Sequence, residues 1–190
     1  MIVQELSLEC ADEILSRIEK VAQRKFLPII GARKGEILAS EVRRSKPKHV
    51  LEVGTLIGYS AILMSKELSS DAELVTIEIH RSEATAAGQN IVEAQIPAKV
   101  TVITGNALEV IPTLGGKFDF AFIDAEKREY LKYLKLAEPK FCRGTVVVAD
   151  NAGIFAEEMA DYLDYVRASG RYRSRYVQVG GDGVEISVRL

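Results

Sequence analysis

The sequence predicts a single α/β domain in which helices cover both faces of a mostly parallel β-sheet. The chain has 190 residues, a length that suits one domain. From Val50 onward, short β-branched runs alternate with longer segments of helical period, as they do in β-α-β units. The apolar runs are nearly continuous, which is typical of parallel strands that are covered on both faces.

Each element of this fold follows from a local pattern. Two amphipathic helices are expected first, at about Leu8–Arg24 and Lys34–Arg44, with a break near Pro28. Five strands come next, at His49–Val53, Leu74–Ile79, Val100–Thr104, Phe118–Ile123 and Thr145–Ala149. The four helices between the strands are predicted at about Tyr59–Leu68, Ser82–Ala94, Ala107–Leu114 and Glu129–Phe141.

The C-terminal part of the chain departs from the parallel pattern. After Asn151, apolar residues at helical spacing predict a helix that ends near Gly170, because glycine is a common residue at helix C-termini. Tyr172–Val179 and Val184–Leu190 are expected as two strands, joined by a glycine-rich segment at 180–183 that favours a tight turn. A seven-stranded sheet that finishes in an antiparallel hairpin is therefore predicted.

Composition excludes several classes of protein. The chain carries 25 Lys and Arg against 27 Asp and Glu, so its net charge of -2 provides no overall positive field for a nucleic acid. No apolar run approaches the ~20 residues of a membrane span. The first residues are acidic, whereas a signal peptide would be basic and then apolar. We therefore expect a cytoplasmic protein with no membrane partner.

The first strand ends in a glycine turn that indicates a ligand site. Gly54 and Gly58 lie after this strand, where open α/β sheets bind ligands, but their spacing differs from that of dinucleotide-binding turns. Glu52 just before the turn would repel a phosphate and favour an ammonium or sulfonium group. Glu78, at the end of the second strand, could accept the two hydroxyls of a ribose. These residues together suggest S-adenosylmethionine; alternatively, the glycines serve only the turn and the acids are solvated or cap a helix.

Carboxylates also follow the fourth and fifth strands. If these strands are neighbours, Asp124, Asp150 and Asn151 bring together oxygen ligands that suit Mg²⁺ or another divalent cation. Lys127 stands three residues after Asp124, where it could take a proton from a cation-bound hydroxyl. The alternative is that Asp150 and Asn151 cap the next helix and that Lys127 is solvated.

Taken together, these motifs resemble the cation-dependent class I O-methyltransferases, the family of the catechol and caffeoyl-CoA O-methyltransferases. The resemblance covers the chain from Ala32 onward. It is carried by the segments 51–54, 58–61, 76–79, 124–127 and 144–151. It implies a Rossmann-like class I methyltransferase fold for residues 1–190, in which the helices of residues 1–48 cover a cleft in a core formed by residues 49–190.

The resemblance also implies a role for each matching residue. The implied cofactor-binding residues are Glu52, Gly54, Tyr59 and Ser60 at the methionine end, Glu78 and Ile79 near the ribose, Asn106 and Ala107 near the adenine, and Asp124. The implied metal ligands are Asp124, Asp150 and Asn151. Lys127 matches the catalytic lysine of the family, with Asp124 beside it.

The expected function is thus transfer of a methyl group from S-adenosylmethionine to a metal-bound hydroxyl of a small catechol-like or vicinal-oxygen substrate. Two departures concern the substrate and the adenine. Ala125 and Glu126 replace aromatic residues of catechol O-methyltransferase, and the segment around Tyr176 lacks a carboxylate that helps to hold the catechol.

Two other functions stay open at this point. Arg171, Arg173 and Arg175 occupy alternate positions of one predicted strand, Tyr172 and Tyr176 could stack on bases, and residues 43–48 form a second basic cluster. A tRNA base carrying a hydroxyl is therefore an alternative substrate, with RNA as the less favoured partner. A non-catalytic module that binds S-adenosylmethionine is the other alternative. The N-terminal helices and the segment Val184–Leu190 could complete a monomer or form the interface of a homodimer.

Overall fold

A seven-stranded sheet in the order β3-β2-β1-β4-β5-β7-β6 forms the centre of the computed structural model, which describes the backbone of residues 2–190 and the side chains of residues 9–190. Strands β1 to β5 run parallel to one another, whereas β7 is antiparallel to both β5 and β6. The predicted fold class is therefore confirmed. The strands are β1 (His49–Val53), β2 (Glu73–Glu78), β3 (Lys99–Thr104), β4 (Phe118–Ile123), β5 (Phe141–Ala149), β6 (Tyr172–Val179) and β7 (Asp182–Arg189).

Within residues 2–190, seven α-helices cover the two faces of the sheet. They are α1 (Ile2–Arg24), α2 (Gly31–Ser45), α3 (Tyr59–Ser65), α4 (Arg81–Glu93), α5 (Ala107–Thr113), α6 (Tyr130–Ala137) and α7 (Ala160–Ala168). Short 3₁₀ turns at Lys127–Glu129 and Glu138–Lys140 flank α6. None of the helices in the described part of the chain combines the length and the apolar character that crossing a bilayer requires.

Successive side chains of each strand point to opposite faces of the sheet, so the core consists of two apolar layers, one on each face. Helices α1 to α4 pack on the face to which Val50 of β1 and Phe120 of β4 contribute. Helices α5 to α7 pack on the other face, which contains Leu51, Val53 and the fully buried Tyr162. Because β1 and β4 are buried on both faces, nearly every one of their residues is apolar, and the buried acid Glu52 is an exception within this pattern.

The prediction of a helix directly after Asn151 is wrong for the residues before Ala160. Residues 151–159 form successive turns, and α7 begins only at Ala160. The backbone N–H groups of Gly153 and Ile154 donate to the carboxylate of Asp182, and that of Ala152 donates to the carbonyl of Gly183. These bonds tie the segment to the β6–β7 hairpin and withdraw its backbone from a regular helix.

Other element boundaries differ from the expected ones for local reasons. Helix α6 ends at Ala137, not at Phe141, because Pro139 has no N–H group to continue a helix. Strand β5 begins at Phe141, four residues before the predicted start, and its pairing with β4 contains a register shift between Phe118 and Phe120. Helix α1 begins at Ile2, before the predicted Leu8.

The order of the strands in the sheet determines where the site lies. Strand β1 lies between β2 and β4. The chain adds β2 and β3 on one side of β1 and then crosses to add β4 on the other side. Ligands of open α/β sheets bind at such a switch point, beyond the carboxyl ends of the strands. Gly54 lies there with a φ of 95°, and a Cβ atom on it would stand 2.1 Å from the carbonyl oxygen of Asp124. Only glycine therefore allows the ends of β1 and β4 to approach this closely.

Candidate active site

A cleft of about 1020 Å³ opens along the carboxyl ends of β1 to β5. Its wall also includes residues 26–30, which connect α1 to α2 and bring the N-terminal region to the site. The cleft is large enough for a nucleoside cofactor and a small second substrate. The residues predicted for the site that line it are Gly54, Tyr59, Ser60, Glu78, Ile79, Asn106, Ala107, Asp124, Lys127, Asp150 and Asn151.

Glu52 is the predicted site residue that does not line the cleft. Its side chain is completely buried on the same face of the sheet as Val50, behind the glycine turn. Neither carboxylate oxygen has a well-formed hydrogen bond, and the nearby Ser60 and Thr76 hydroxyls offset the effect of burial on its pKa only in part. Burial raises the pKa of the Glu52 carboxyl to about 7, and negative charge on Asp124 adds to this effect. Contact between Glu52 and a cofactor stays a prediction.

Glu78 organises the glycine turn as well as facing the cleft. Its Oε2 accepts the backbone N–H groups of Thr55 at 3.2 Å and Leu56 at 2.7 Å, and its Oε1 accepts that of His80 at 2.9 Å. Leu56 has a φ of 50°, an uncommon conformation for such a residue, and the carboxylate bond helps to hold it. Each carboxylate oxygen has two lone pairs, so acceptor capacity remains for a ligand hydroxyl. Sequence reasoning missed the structural role because it depends on tertiary contacts.

The end of the cleft beyond Glu78 combines a helix cap with apolar surface. Asn106 caps α5, since its Oδ1 accepts the N–H of Leu108 at 2.9 Å. Ala107 and the 60% exposed Ile79 provide flat apolar surface nearby. A second acidic group also occurs here, because ligand atoms of Glu78, His80 and Glu83 lie within 4.8 Å of one another. This group is distinct from the predicted metal ligands.

The predicted metal ligands meet at the ends of two adjacent strands. Ile123 and Ala149 pair across β4 and β5, so Asp124 and Asp150 follow side by side. The side chain of Asp150 is only 2% exposed, and both of its oxygens face the ammonium group of Lys34, Oδ1 at 2.7 Å and Oδ2 at 2.8 Å from Nζ. Burial raises the pKa of Asp150 to about 6, and the negative charge of Asp124 contributes. Two neighbouring carboxylates, one of them buried, fit a hard cation, and positive charge is already drawn to this position.

Two lysines neutralise this acidic pair. The Nζ of Lys127 lies 2.9 Å from Asp124 Oδ1 and donates to the Tyr130 hydroxyl at 2.8 Å. Lys34, on α2, donates to Asp150 Oδ2 at 2.8 Å and to Asp182 Oδ2 at 2.7 Å. Burial lowers the pKa of Lys34, but the two carboxylates outweigh burial and raise it overall. Sequence reasoning singled out Lys127 but missed Lys34, because α2 lies far from the strand ends in the sequence.

Asp182 is a second residue that the sequence did not reveal as part of the site. Its Oδ2 accepts Asn151 Nδ2 at 2.9 Å, as well as Lys34, while its Oδ1 accepts the two backbone N–H groups of the 151–159 segment. Burial opposes its ionisation, but hydrogen bonds from Lys34, Asn151 and Ile154 prevail and hold the pKa of Asp182 well below its usual range. In the sequence, Asp182 is predicted only as part of a hairpin turn.

Exposed apolar side chains line part of the cleft. Phe26 is 96% exposed, Ile154 is 56% exposed and Phe155 is 37% exposed, and all three line the cleft. The Nζ of Lys127 stands 5.9 Å from the centre of the Phe155 ring. Large apolar groups that are exposed together beside polar groups are typical of binding sites for organic ligands.

The basic and aromatic residues considered for RNA are largely engaged within the protein. Arg175 pairs with the buried Glu41, and the Tyr172 hydroxyl donates to Glu138 from a ring that is only 4% exposed. The other basic cluster also forms ion pairs, such as those of Arg43 with Glu67 and of Lys48 with Asp71.

Comparisons with known proteins agree with this geometry. A family model described as O-methyltransferase matches residues 4–168. The chain is 35% identical over 191 residues to catechol O-methyltransferase B of Danio rerio, covering 93% of this chain and 72% of that protein. It is 34% identical over 172 residues to catechol O-methyltransferase of Sus scrofa, covering 84% of this chain and 91% of that protein. The crystal structure of the O-methyltransferase TomG from Streptomyces achromogenes in complex with SAM (S-adenosylmethionine) superimposes with a TM-score of 0.85 at 28% identity, covering 93% of this chain and 89% of that one. The chain therefore belongs to the class I S-adenosylmethionine-dependent O-methyltransferase family.

Proposed function

We propose that this protein methylates a hydroxyl group of a small catechol-like molecule and that a divalent cation, Mg²⁺ or a similar ion, takes part in the reaction. The observation that carries the cation is the convergence of the buried Asp150 carboxylate with Asp124 and Asn151 at the ends of two adjacent strands. The names of the relatives, several of which are catechol O-methyltransferases, support the class of substrate.

The chain's own residues provide for the cofactor at the glycine turn and beyond it. Gly54 keeps the turn open, and the carboxylate of Glu78 can accept hydroxyls of the ribose while it holds the turn in shape. Asn106 and Ala107 would border the adenine, with Ile79 as an apolar neighbour. S-adenosylmethionine supplies an electrophilic methyl group on its sulfonium sulfur.

The cation would be held by oxygen atoms of Asp124, Asp150 and Asn151. These ligands leave coordination positions for water and substrate, which suits Mg²⁺. A divalent cation there supplies Lewis acidity, which lowers the pKa of a substrate hydroxyl. The two carboxylates come from adjacent strands of a packed sheet, so their separation is set by the fold and needs little reorganisation.

Lys127 is the residue that we propose to assist deprotonation. Its Nζ is anchored by Asp124 and by the Tyr130 hydroxyl, which in turn donates to the Asp150 carbonyl at 3.3 Å. The side-chain nitrogen is therefore held beside the cation site, where it would accept the proton of a substrate hydroxyl as the neutral amine and become the ammonium ion. Catalysis would rest chiefly on holding the attacking oxygen in line with the methyl group, an effect worth up to ~7–11 kcal/mol.

The mouth of the cleft fits a flat aromatic substrate. Phe155 offers an aromatic surface beside Lys127, and Phe26 and Ile154 add apolar surface elsewhere along the lining of the cleft. A catechol ring could pack on these groups with its two oxygens directed to Asp124 and Asp150. The same groups give little charge complementarity to a phosphate backbone, which is why we favour a small molecule.

Methyl transfer to catechol in the presence of Mg²⁺ and in the presence of a chelator tests the proposal. We expect turnover only with the cation, and we expect Asp150→Ala to abolish it while the affinity for S-adenosylmethionine, measured by calorimetry, is largely kept. Asp71→Ala, at an exposed carboxylate paired with Lys48, is the control and should behave as the wild type does. Full activity of the Asp150→Ala variant in chelator would exclude the role of the cation.

A further inference from the structure

The carboxylate of Asp182 connects three parts of the molecule that border the cation site. Asp182 begins β7 and pairs with Val179 across a two-residue turn. Its Oδ1 accepts the backbone N–H groups of Gly153 at 3.2 Å and Ile154 at 3.1 Å. Its Oδ2 accepts the amide of Asn151 at 2.9 Å and the ammonium group of Lys34 at 2.7 Å. One side chain thus joins α2, the segment after β5 and the hairpin.

The bond to Asp182 determines which end of the Asn151 amide is available to a ligand. A carboxylate oxygen only accepts hydrogen bonds, so the NH₂ end of the amide must face Asp182. This leaves the carbonyl oxygen for the cleft that Asn151 lines. A cation binds the oxygen end of an amide and is repelled by the nitrogen end. The backbone of Asn151 also has a φ of 61°, a conformation that asparagine tolerates better than most residues.

Lys34 extends the same network to Asp150. Its Nζ lies within 2.8 Å of both Asp150 and Asp182, and its side chain is only 13% exposed. The two carboxylates would repel each other without this shared positive charge, and the repulsion would be strong because the site is shielded from water. Asp182 therefore also determines where Lys34 holds Asp150.

We propose that Asp182 is a positioning residue for the cation site, which orients Asn151 with its carbonyl oxygen toward the cation and, through Lys34, holds Asp150 in place. The inference rests on the proposed function only in requiring a divalent cation at Asp124, Asp150 and Asn151. Partners that orient metal ligands in this way typically change metal affinity by about 10- to 100-fold when they are lost.

The test is the affinity of the purified full chain for Mn²⁺, a spectroscopically visible divalent cation, measured by electron paramagnetic resonance with S-adenosylmethionine present. Asp182→Asn keeps an oxygen acceptor for the backbone N–H groups of Gly153 and Ile154, but it turns an NH₂ group toward Asn151 and Lys34. The Asn151 amide should then invert and present its nitrogen to the cleft. We expect Mn²⁺ to bind about 10- to 100-fold more weakly, while affinity for S-adenosylmethionine changes little. The melting temperature should fall, because the ionised carboxylate that pairs with Lys34 is lost.

A second substitution should restore the site if Asp182 acts by orienting Asn151. In the double variant Asp182→Asn with Asn151→Asp, the new carboxylate at position 151 accepts from the new amide at position 182 and offers its other oxygen to the cation. Most of the lost Mn²⁺ affinity should return. Asn151→Asp alone should bind Mn²⁺ poorly, because it places a carboxylate against Asp182. A purely structural role for Asp182 predicts no such rescue.

Asp119→Asn is the matched control. Asp119 also accepts backbone N–H groups, those of Lys48 and His49, but it lies at the start of β4, at the opposite edge of the sheet. This variant should bind Mn²⁺ as the wild type does. If the wild type binds no Mn²⁺, or if Asp150→Ala does not weaken binding, the proposed cation and this inference both fail. If Asp150→Ala weakens binding but Asp182→Asn does not, or if the double variant binds no better than the single ones, the inference alone is overturned.

Discussion

Replacement of Glu52 by glutamine should make the protein more stable at alkaline pH. The carboxyl of Glu52 is completely buried without a well-formed hydrogen bond, and burial raises its pKa from 4.5 to about 7. The folded state therefore binds this proton more tightly than the unfolded state does. The contribution of the Glu52 carboxyl to the free energy of unfolding is fully present below pH ~4.5 and is lost as the pH rises through ~7.

The size of the effect follows from the shift in pKa. A difference of about 2.5 pH units corresponds to ~3 kcal/mol, since each unit is worth ~1.36 kcal/mol. Glutamine has a similar shape and cannot ionise, so it keeps the cost of a buried polar group but removes the cost of a buried charge. Relative to the wild type, we expect Glu52→Gln to gain up to ~3 kcal/mol of unfolding free energy between pH ~5 and pH ~8.5.

Urea denaturation at both pH values, followed by circular dichroism in the presence of a chelator, measures this gain. Contributions of other titrating groups cancel in the difference between variant and wild type. Glu185→Gln is the control, because Glu185 is also fully buried but accepts two hydrogen bonds from Arg167. That variant should lose stability at both pH values. If the stability difference between Glu52→Gln and the wild type is the same at both pH values, the reasoning about a buried charge is refuted.

Three further substitutions test the site. Gly54→Ala places a Cβ atom against the Asp124 carbonyl at a positive φ, so we expect a loss of about 2–5 kcal/mol in chemical denaturation and much weaker cofactor binding. Glu78→Ala should weaken S-adenosylmethionine binding about 10- to 100-fold in calorimetry and cost about 1–3 kcal/mol of stability, because the Thr55 N–H loses its acceptor. Lys127→Met should lower kcat by about 10²- to 10⁴-fold, with cofactor affinity unchanged.

Each of these results has a contradicting outcome. A Gly54→Ala variant with wild-type stability would mean that the ends of β1 and β4 can separate. Glu78→Gln keeps one oxygen acceptor and serves as the control for the turn; unchanged cofactor affinity in both Glu78 variants would remove the ribose assignment. Lys127→Arg keeps the positive charge, and full kcat in both Lys127 variants would argue against a role in proton transfer.

Local patterns predicted most of the sheet. The strands β1 and β4 were predicted with their observed bounds, because a parallel strand that is buried on both faces needs a mostly apolar run. Tyr172–Val179 was likewise predicted as observed for β6. The helix after Asn151 was placed too early, since the apolar spacing there could not reveal the bonds from Gly153 and Ile154 to Asp182, which is some 30 residues away in the sequence.

The candidate site divides in the same way. Gly54, Glu78, Asp124, Asp150 and Asn151 were recognisable because each lies at the end of a strand or within two residues after it, and the carboxyl ends of parallel strands meet at one edge of the sheet. Chemistry that sits at strand ends can therefore be predicted from local sequence.

What the sequence could not decide was how those groups are partnered. Lys34 comes from a helix before the sheet and Asp182 from a hairpin after it, and only packing brings both against Asp150 and Asn151. Packing likewise places Glu52 behind the turn, where it is buried without a well-formed hydrogen bond, although its position in the sequence suggested the cleft. Hydrogen bonds and desolvation depend on distances between segments that are remote in the chain. The charge state and the orientation of the candidate ligands are therefore decided by the tertiary structure, whereas the types of residue at the strand ends can be identified from the sequence.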